Sequence, residues 1–422
     1  MRRVLLIVYR ALSDMAGKAA VFAITVVAAR RLSQDAFGIF SLASVIGWLL
    51  ALTTDFGIPL HLARAVARRP DEASGILSLW VKVRLWTAAI AIALVAVTVP
   101  FWPATSGYTV PILLFALVYI ISALIDFLHY FYRGIGRSDV ESTLTLWSRA
   151  ITLGAALLAL AWSPDLTILA LAMLAPVLAT FVWSLWLASR LARESAGLSH
   201  GALAPAPAPF TMAALWPEFR RDVFPIGAGI VLSALYFRID LLLVETWHGT
   251  EPVALYNAAF RLVETVRLFP AAVLAVTLPS LCRATDTRPL RRVAGAVSIF
   301  AVVVTPMLWA AAGWGLPIVY GTSYAAAVPA FRILILALPL MSLNFALTHQ
   351  LIGWDGQRAY AVICAVALAV NLALNVFMIP ALSIEGAAWA TVWTEIVVTA
   401  GCAMAIWRAV PRPAHASLSL AS

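Results

Sequence analysis

Charge is what this sequence has least of. Only 12% of its 422 residues are Asp, Glu, Lys or Arg, 63% are hydrophobic, and the mean hydropathy is +0.94. Soluble domains run near ~25% charged, so a soluble fold is excluded. Acidic residues are scarcer than basic ones, 20 against 29. The resulting +9 is no nucleic-acid footprint, because the cations are scattered over short segments instead of gathered in a basic domain. Cysteine is rare too. Cys282, Cys364 and Cys402 show no metal or redox spacing, so neither a metal site nor a cofactor is expected. A Gly-rich phosphate loop, a metal-binding His/Glu repeat and a Ser/His/Asp arrangement outside the apolar segments are all missing. The chain is not expected to be an enzyme.

What it has instead is about twelve apolar stretches, each near the ~20 residues that a membrane helix needs. They run roughly over 10–30, 37–58, 78–100, 109–131, 143–162, 166–189, 223–246, 253–278, 293–312, 328–352, 358–379 and 385–407. Basic residues fall in every second connection: Arg2, Arg3 and Arg10; Arg64, Arg68, Arg69, Lys82 and Arg84; Arg133, Arg137 and Arg149; Arg190, Arg193, Arg220 and Arg221; Arg283, Arg288, Arg291 and Arg292; Arg358, Arg408 and Arg412. The alternate connections hold only Arg30 and Arg31. Short loops rich in Lys and Arg stay in the cytoplasm. Both termini are therefore expected there, with an even number of spans. The first stretch follows Arg2 and Arg3 as a signal peptide would, but contains Asp14 and Lys18 and is read as a retained helix.

The one sizeable linker is 191–222, with an Ala-Pro run over 204–209 that favours extended backbone. It divides the chain into six-span lobes at 1–190 and 223–410, followed by a cytoplasmic tail over 411–422. The lobes show weak internal likeness. At an offset of 220, Ser122 meets Ser342, His129 meets His349 and Gly136 meets Gly356; at 216, Asp35 meets Glu251 and Ala43 meets Ala259. Six spans is an even number, so the repeat would be parallel, about an axis along the membrane normal, with a cavity between the lobes. The expected fold is an all-α integral membrane protein.

Five cations sit inside predicted spans: Lys18, Arg238, Arg261, Arg267 and Arg332. A charge there costs about 2.5–3.5 kcal/mol on insertion scales, so it faces a cavity or a partner. The densest cluster is the hairpin of spans seven and eight. Asn257, Arg261 and Glu264 share one helix face, with Arg267 at its edge. Arg238 and Arg261 lie equally far from the hairpin tip, ~12–17 Å at 1.5 Å per residue. Asp240 should then reach Arg261, and Glu264 should reach Arg238. Such a network either pins two helices together or holds guanidinium groups in a hydrated cavity, where they would bind phosphate in bidentate fashion. Asp14 and Lys18, at i and i+4, form a local pair or a cavity contact. Asp55 ends span two beside Gly57 and Pro59. Asp126, His129 and Arg133 form a stripe in span four. Glu395 lies alone in span twelve, as a coupling-ion site or a hydrogen-bonded carboxyl.

Several ordered features resemble a known family. They are Arg238-Ile239-Asp240, Tyr256-Asn257-Ala258-Ala259, Tyr132-Arg133-Gly134-Ile135-Gly136-Arg137, and the set Asn371, Asn375, Pro380, Gly386-Ala387-Ala388, Thr391 and Glu395. Together they resemble the polysaccharide-biosynthesis flippases, the Wzx-type O-antigen and exopolysaccharide repeat-unit translocases of the multidrug/oligosaccharidyl-lipid/polysaccharide exporter superfamily. The resemblance implies a flippase in the bacterial inner membrane. Its substrate would be an undecaprenyl-diphosphate-linked oligosaccharide moved from the cytoplasmic to the periplasmic leaflet. Membrane lipids and the polysaccharide polymerase machinery are the implied partners. Rival readings are a multidrug extruder or a lipid II flippase of the same superfamily, and a membrane glycan polymerase or ligase. The arginine excess speaks against the extruder. The stop after twelve spans speaks mildly against the lipid II branch, and the short outer loops speak against the enzymes.

Overall fold

The computed structural model describes residues 2–102, 107–198, 216, 219–282 and 286–409. Their secondary structure is helical throughout. The first part of the chain forms α1 (Arg2–Arg31), α2 (Gln34–Asp55), α3 (Ile58–Arg68), α4 (Ala73–Thr98), α5 (Thr109–Gly134), α6 (Ser138–Trp162) and α7 (Leu166–Leu198). The second forms α8 (Phe224–His248), α9 (Thr250–Val266), α10 (Leu268–Cys282), α11 (Arg288–Tyr320), α12 (Val328–Leu336), α13 (Leu338–Gly353) and α14 (Gln357–Ala409). The Ala-Pro run of the linker and the tail over 411–422 lie outside the described residues, as does the side chain of Asp14.

Among the described residues, eight helices are long and apolar enough to cross a membrane. There are nine if the pair Thr322–Leu336 and Leu338–Gly353, bent by 41°, is one span. Breaks and mergers separate this number from the expected twelve. Span two is interrupted after Asp55, where Phe56 and Gly57 take left-handed backbone (φ 39° and 76°) before the chain resumes as α3. Span eight is interrupted at Arg267, between α9 and α10. Spans eleven and twelve merge into α14, whose 53 residues would reach about 80 Å if straight. Ser383 (φ 50°) reverses the chain instead. Across that reversal Asn371 Nδ2 donates to Thr394 Oγ1 at 3.0 Å, and Gly401 packs on Ile363.

The apolar packing differs between the two ends of the bundle. At the end carrying Arg30, Gln34 and Thr250, one cluster joins both parts of the chain. Ile24, Phe37, Phe40 and Phe115 meet Ala254, Ala258, Tyr320 and Tyr324. At the opposite, basic end the clusters separate. One gathers Leu62, Trp80, Phe127 and Tyr132 from the first part, and the other gathers Leu281, Val293, Leu351 and Ile406 from the second.

The joined end is stitched by small and polar residues, as membrane helices without a hydrophobic drive between them require. At Gly38 a Cβ would collide with the Thr250 carbonyl. Asn257 Nδ2 donates to Ser41 Oγ at 2.8 Å, and Thr250 Oγ1 donates to Asp35. Arg30 Nε donates to the Val319 carbonyl at 2.7 Å, and Gln34 Nε2 to the Ser323 carbonyl at 3.2 Å. Along α2 a second contact lies toward the basic end, where Gly227 of α8 packs against the Phe56 carbonyl and the Phe56 and Phe224 rings sit 5.5 Å apart.

Candidate functional site

Where the two parts of the chain separate, they leave a cavity of about 560 Å³ that runs to the level of Arg133 and Glu141, at the basic end of α5 and α6. A deeper chamber of about 370 Å³ adjoins it, sharing Val21, Trp48, Asp126, Arg149, Arg261 and Glu264. The larger chamber brings together Lys18 of α1, Arg133 of α5, Arg149 of α6, and Arg261 and Arg267 of the second part. Against these five cations stand three carboxylates, Asp126, Glu141 and Glu264.

The carboxylates are unequally engaged. Glu141 is buried and holds Arg133 in a fork, with Nε to Oε2 at 2.8 Å and Nη2 to Oε1 at 2.5 Å. Glu264 Oε2 takes Arg238 at 2.9 Å and Arg261 at 3.0 Å, so one acid serves two guanidinium groups. Buried ion pairs gain little net stability, yet removing one partner strands the other. Arg267 makes no ion pair among the described residues. Its guanidinium lies between two rings, 4.5 Å from Phe237 and 4.9 Å from Phe345, and these cation–π contacts leave its N–H edge free of a carboxylate. Arg149 likewise has no ion pair among the described residues within 4 Å, and it packs along Gly17 of α1.

The hairpin expectation is half met. Glu264 does reach Arg238, and Arg261 lines the cavity beside it. Asp240 does not reach Arg261. Two residues on from Arg238, it is turned about 200° around the helix axis, toward α14. There it accepts from Tyr256 Oη, with Thr391 Oγ1 at 3.5 Å. Asn257 belongs to the joined end through Ser41, not to the cavity lining, and its Oδ1 meets Arg238 Nη1 at 3.5 Å. Arg332 lies away from the cavity on α12, stacked 4.6 Å over Trp309 and donating to that residue's carbonyl at 3.3 Å. Asp55 lines the deeper chamber and pairs with Arg84, which is fully buried. Arg84 is therefore not a loop cation of the basic face. Glu395, without a visible partner in sequence, accepts from Asn344 Nδ2 at 2.6 Å in a buried network with Thr399. His129 sits 3.6 Å from Asp126, while Arg133 of the same stripe turns to Glu141. His349 is occupied by the Phe345 carbonyl at 2.7 Å.

Several cavity residues escaped the sequence reading, Glu141, Arg149 and Trp48 among them. Arg149 counted as a basic loop residue, although its position inside span 143–162 already marked it as internal. Trp48 had no such signal, since one aromatic ring in an apolar span looks like packing. Among the described residues, no group of three His, Cys, Asp or Glu side chains is placed to hold a metal.

The family model described as "Polysaccharide biosynthesis protein" matches residues 7–285. No curated protein sequence matches the chain. Among solved structures, an inward-facing multidrug resistance transporter of the MATE family (MOP superfamily) superposes with a TM-score of 0.70 at 12% identity, covering 93% of this chain and 94% of the other. An outward-facing multidrug resistance MATE transporter gives 0.69 at 13%, covering 96% and 95%. A MOP superfamily transporter from Pyrococcus furiosus, described as having a binding pocket of reverse polarity, gives 0.64 at 13%, also covering 96% and 95%. At these identities the likeness shows the fold alone, that of a multi-pass membrane transporter.

Proposed function

Since the chain belongs to the polysaccharide biosynthesis protein family, we propose that it is a flippase for an undecaprenyl-diphosphate-linked oligosaccharide destined for a cell-surface O-antigen or exopolysaccharide. It works as twelve spans in two six-helix lobes, 1–190 and 223–410, in the bacterial inner membrane. Both termini lie in the cytoplasm. The basic end then faces the cytoplasm and the joined end the periplasm, and the cavity stands open to the leaflet where such lipids are made. One observation carries the reading: cations from both parts of the chain converge on one cavity, and Arg267 there makes no ion pair within 4 Å among the described residues, with Glu264 and Glu395 acting on it only from farther off. A diphosphate supplies the missing charge, and guanidinium forks match its oxygens. The cavity volume lies within the range of small-ligand sites, and the prenyl tail stays in lipid. A cationic drug would meet net repulsion on these walls, which disfavours the multidrug reading.

The test is export of surface polysaccharide in cells whose own copy is deleted. Arg267→Gln removes a cation that makes no ion pair within 4 Å among the described residues, so protein should reach the membrane at wild-type level while export falls at least tenfold. Arg261→Lys keeps charge but loses the planar fork and should fall between wild type and Arg261→Ala. Full export by well-expressed Arg267→Gln and Arg261→Ala would remove the anion-binding role.

A further inference from the structure

Both walls of the cavity carry cations, Lys18, Arg133 and Arg149 on one and Arg261 and Arg267 on the other, but they differ in how their carboxylates are engaged. On the wall from the second part of the chain, the one lining carboxylate, Glu264, is consumed by two arginines, and Arg267 is left over. On the wall from the first part, the Asp126 side chain is 57% exposed, although it sits eight residues, about 12 Å, inside the basic end of α5. That exposure is to the cavity. Its only ion-pair partner among the described residues within 4 Å is His129, at 3.6 Å. His129 is itself 95% buried, and its Nε2 has no hydrogen-bond partner among the described residues. Both residues line the cavity, with Thr145 on α6 and the rings of Trp48 and Phe22 nearby.

At Asp126 itself this wall disfavours phosphate, because an open carboxylate repels it, even with Lys18, Arg133 and Arg149 on the same wall. It suits a ligand dense in hydroxyl donors. A carboxylate only accepts, and charge-assisted O–H···O⁻ bonds are the strong kind. An imidazole nitrogen can accept or donate to a further hydroxyl. An aromatic face, negative at its centre, attracts the C–H face of a pyranose. From this division, and resting on the diphosphate reading above, we infer that the Asp126 wall is a sugar-recognition subsite. It holds the first sugar residues of the head group through Asp126, His129 and Trp48, while the Arg267 wall holds the diphosphate. The ligand then bridges the two parts of the chain, each reading a different portion of it.

Full-length protein in lipid nanodiscs would be titrated with undecaprenyl diphosphate and with undecaprenyl-diphosphate-linked mono- and disaccharides of neutral sugars. The sugar-bearing lipids should bind at least tenfold tighter than the bare diphosphate. Asp126→Ala and Trp48→Leu should each erase most of that advantage, leaving affinity for the bare diphosphate within about twofold. A hydrogen bond to a charged group contributes about 1.5–3 kcal/mol, or roughly tenfold or more in Kd. Asp126→Asn, of the same shape, covers the event that the alanine variant does not fold. Arg267→Gln should weaken every probe alike. Equal binding of sugar-bearing and bare lipids by wild type would overturn the subsite, and so would equal loss of both in the Asp126 and Trp48 variants. Tight binding of tetraphenylphosphonium that disappears in Asp126→Ala would assign the wall to cationic amphiphiles instead. Failure of wild type to bind the bare diphosphate would count against the diphosphate reading itself.

Discussion

Helix α9 packs on the first part of the chain through its opening turns and lines the cavity with its closing ones. Its opening turns, Thr250 to Ala258, meet the first part through Thr250, Ala254, Ala258 and one amide, with Glu251 exposed and Tyr256 bonded to Asp240 instead. Gly38 packs against the Thr250 backbone there, and Asn257 bonds Ser41. Its closing turns carry Arg261 and Glu264, and there the two parts stand apart around a cavity. The difference is one of side-chain size and charge. Where backbones can touch, dispersion and a few hydrogen bonds close the seam. Where guanidinium groups must stay solvated or paired, the helices cannot close without burying uncompensated charge. A single helix thus provides a seal at one end and a polar chamber at the other, as alternating access to a charged head group requires.

The largest effect should come from breaking the seal. Gly38→Leu would drive a side chain into the Thr250 carbonyl, and overpacking of this kind costs about 1–3 kcal/mol. With the native cysteines replaced, Ser44→Cys, which lines the deeper chamber, should be silent to impermeant maleimide added outside intact cells. It should become reactive when Gly38→Leu is added, and transport should stop. A chamber still silent in the double variant would mean that the seam is not the outer seal.

A smaller effect is expected behind the cavity wall of the second part, where Glu395 rests in its network with Asn344 and Thr399 and feels the charge of Arg267. We propose Glu395 as a coupling site that takes up and releases a proton. Glu395→Gln preserves the side-chain shape, so the protein should fold and bind lipid normally while losing dependence on a pH gradient in reconstituted vesicles. Unchanged gradient dependence would assign Glu395 to packing alone.

The helices, the place of the charged hairpin and the Glu264–Arg238 pair were legible in the sequence, because charge inside an apolar run is rare and helix periodicity fixes its face. Asp240 was misplaced because equal depth does not mean equal azimuth. Arg332 was misplaced because an interfacial arginine can stack on a tryptophan, as it does on Trp309. Arg149 and Asp126 became cavity residues only through tertiary packing, since which face of α5 and α6 looks inward depends on α2 lying against α5 and α1 against α6. The seam at Gly38 has no sequence signal beyond a single glycine.

The smallest effect belongs to the loop at the basic end. Arg137 donates to Asp139 at 3.0 Å and holds that carboxyl below the usual range. Stability from this pair is present above the ordinary carboxylate pKa and is lost as pH falls through the lowered one. Both side chains are about half exposed, so solvent screens the pair. Asp139→Asn should lower the melting temperature by no more than a degree or two at pH 7, and the gap should be constant from pH 8 to 5 and narrow below pH 4. A gap that widens on acidification would reverse the assignment.

The most direct test of the cationic cavity is binding of undecaprenyl diphosphate to the purified protein, set against uncharged undecaprenol as the control for its tail. The account predicts saturable binding of the diphosphate alone, weakened at least tenfold by Arg267→Gln and relieved by rising salt. Equal affinity for undecaprenol, or diphosphate binding unaffected by Arg267→Gln, would contradict it.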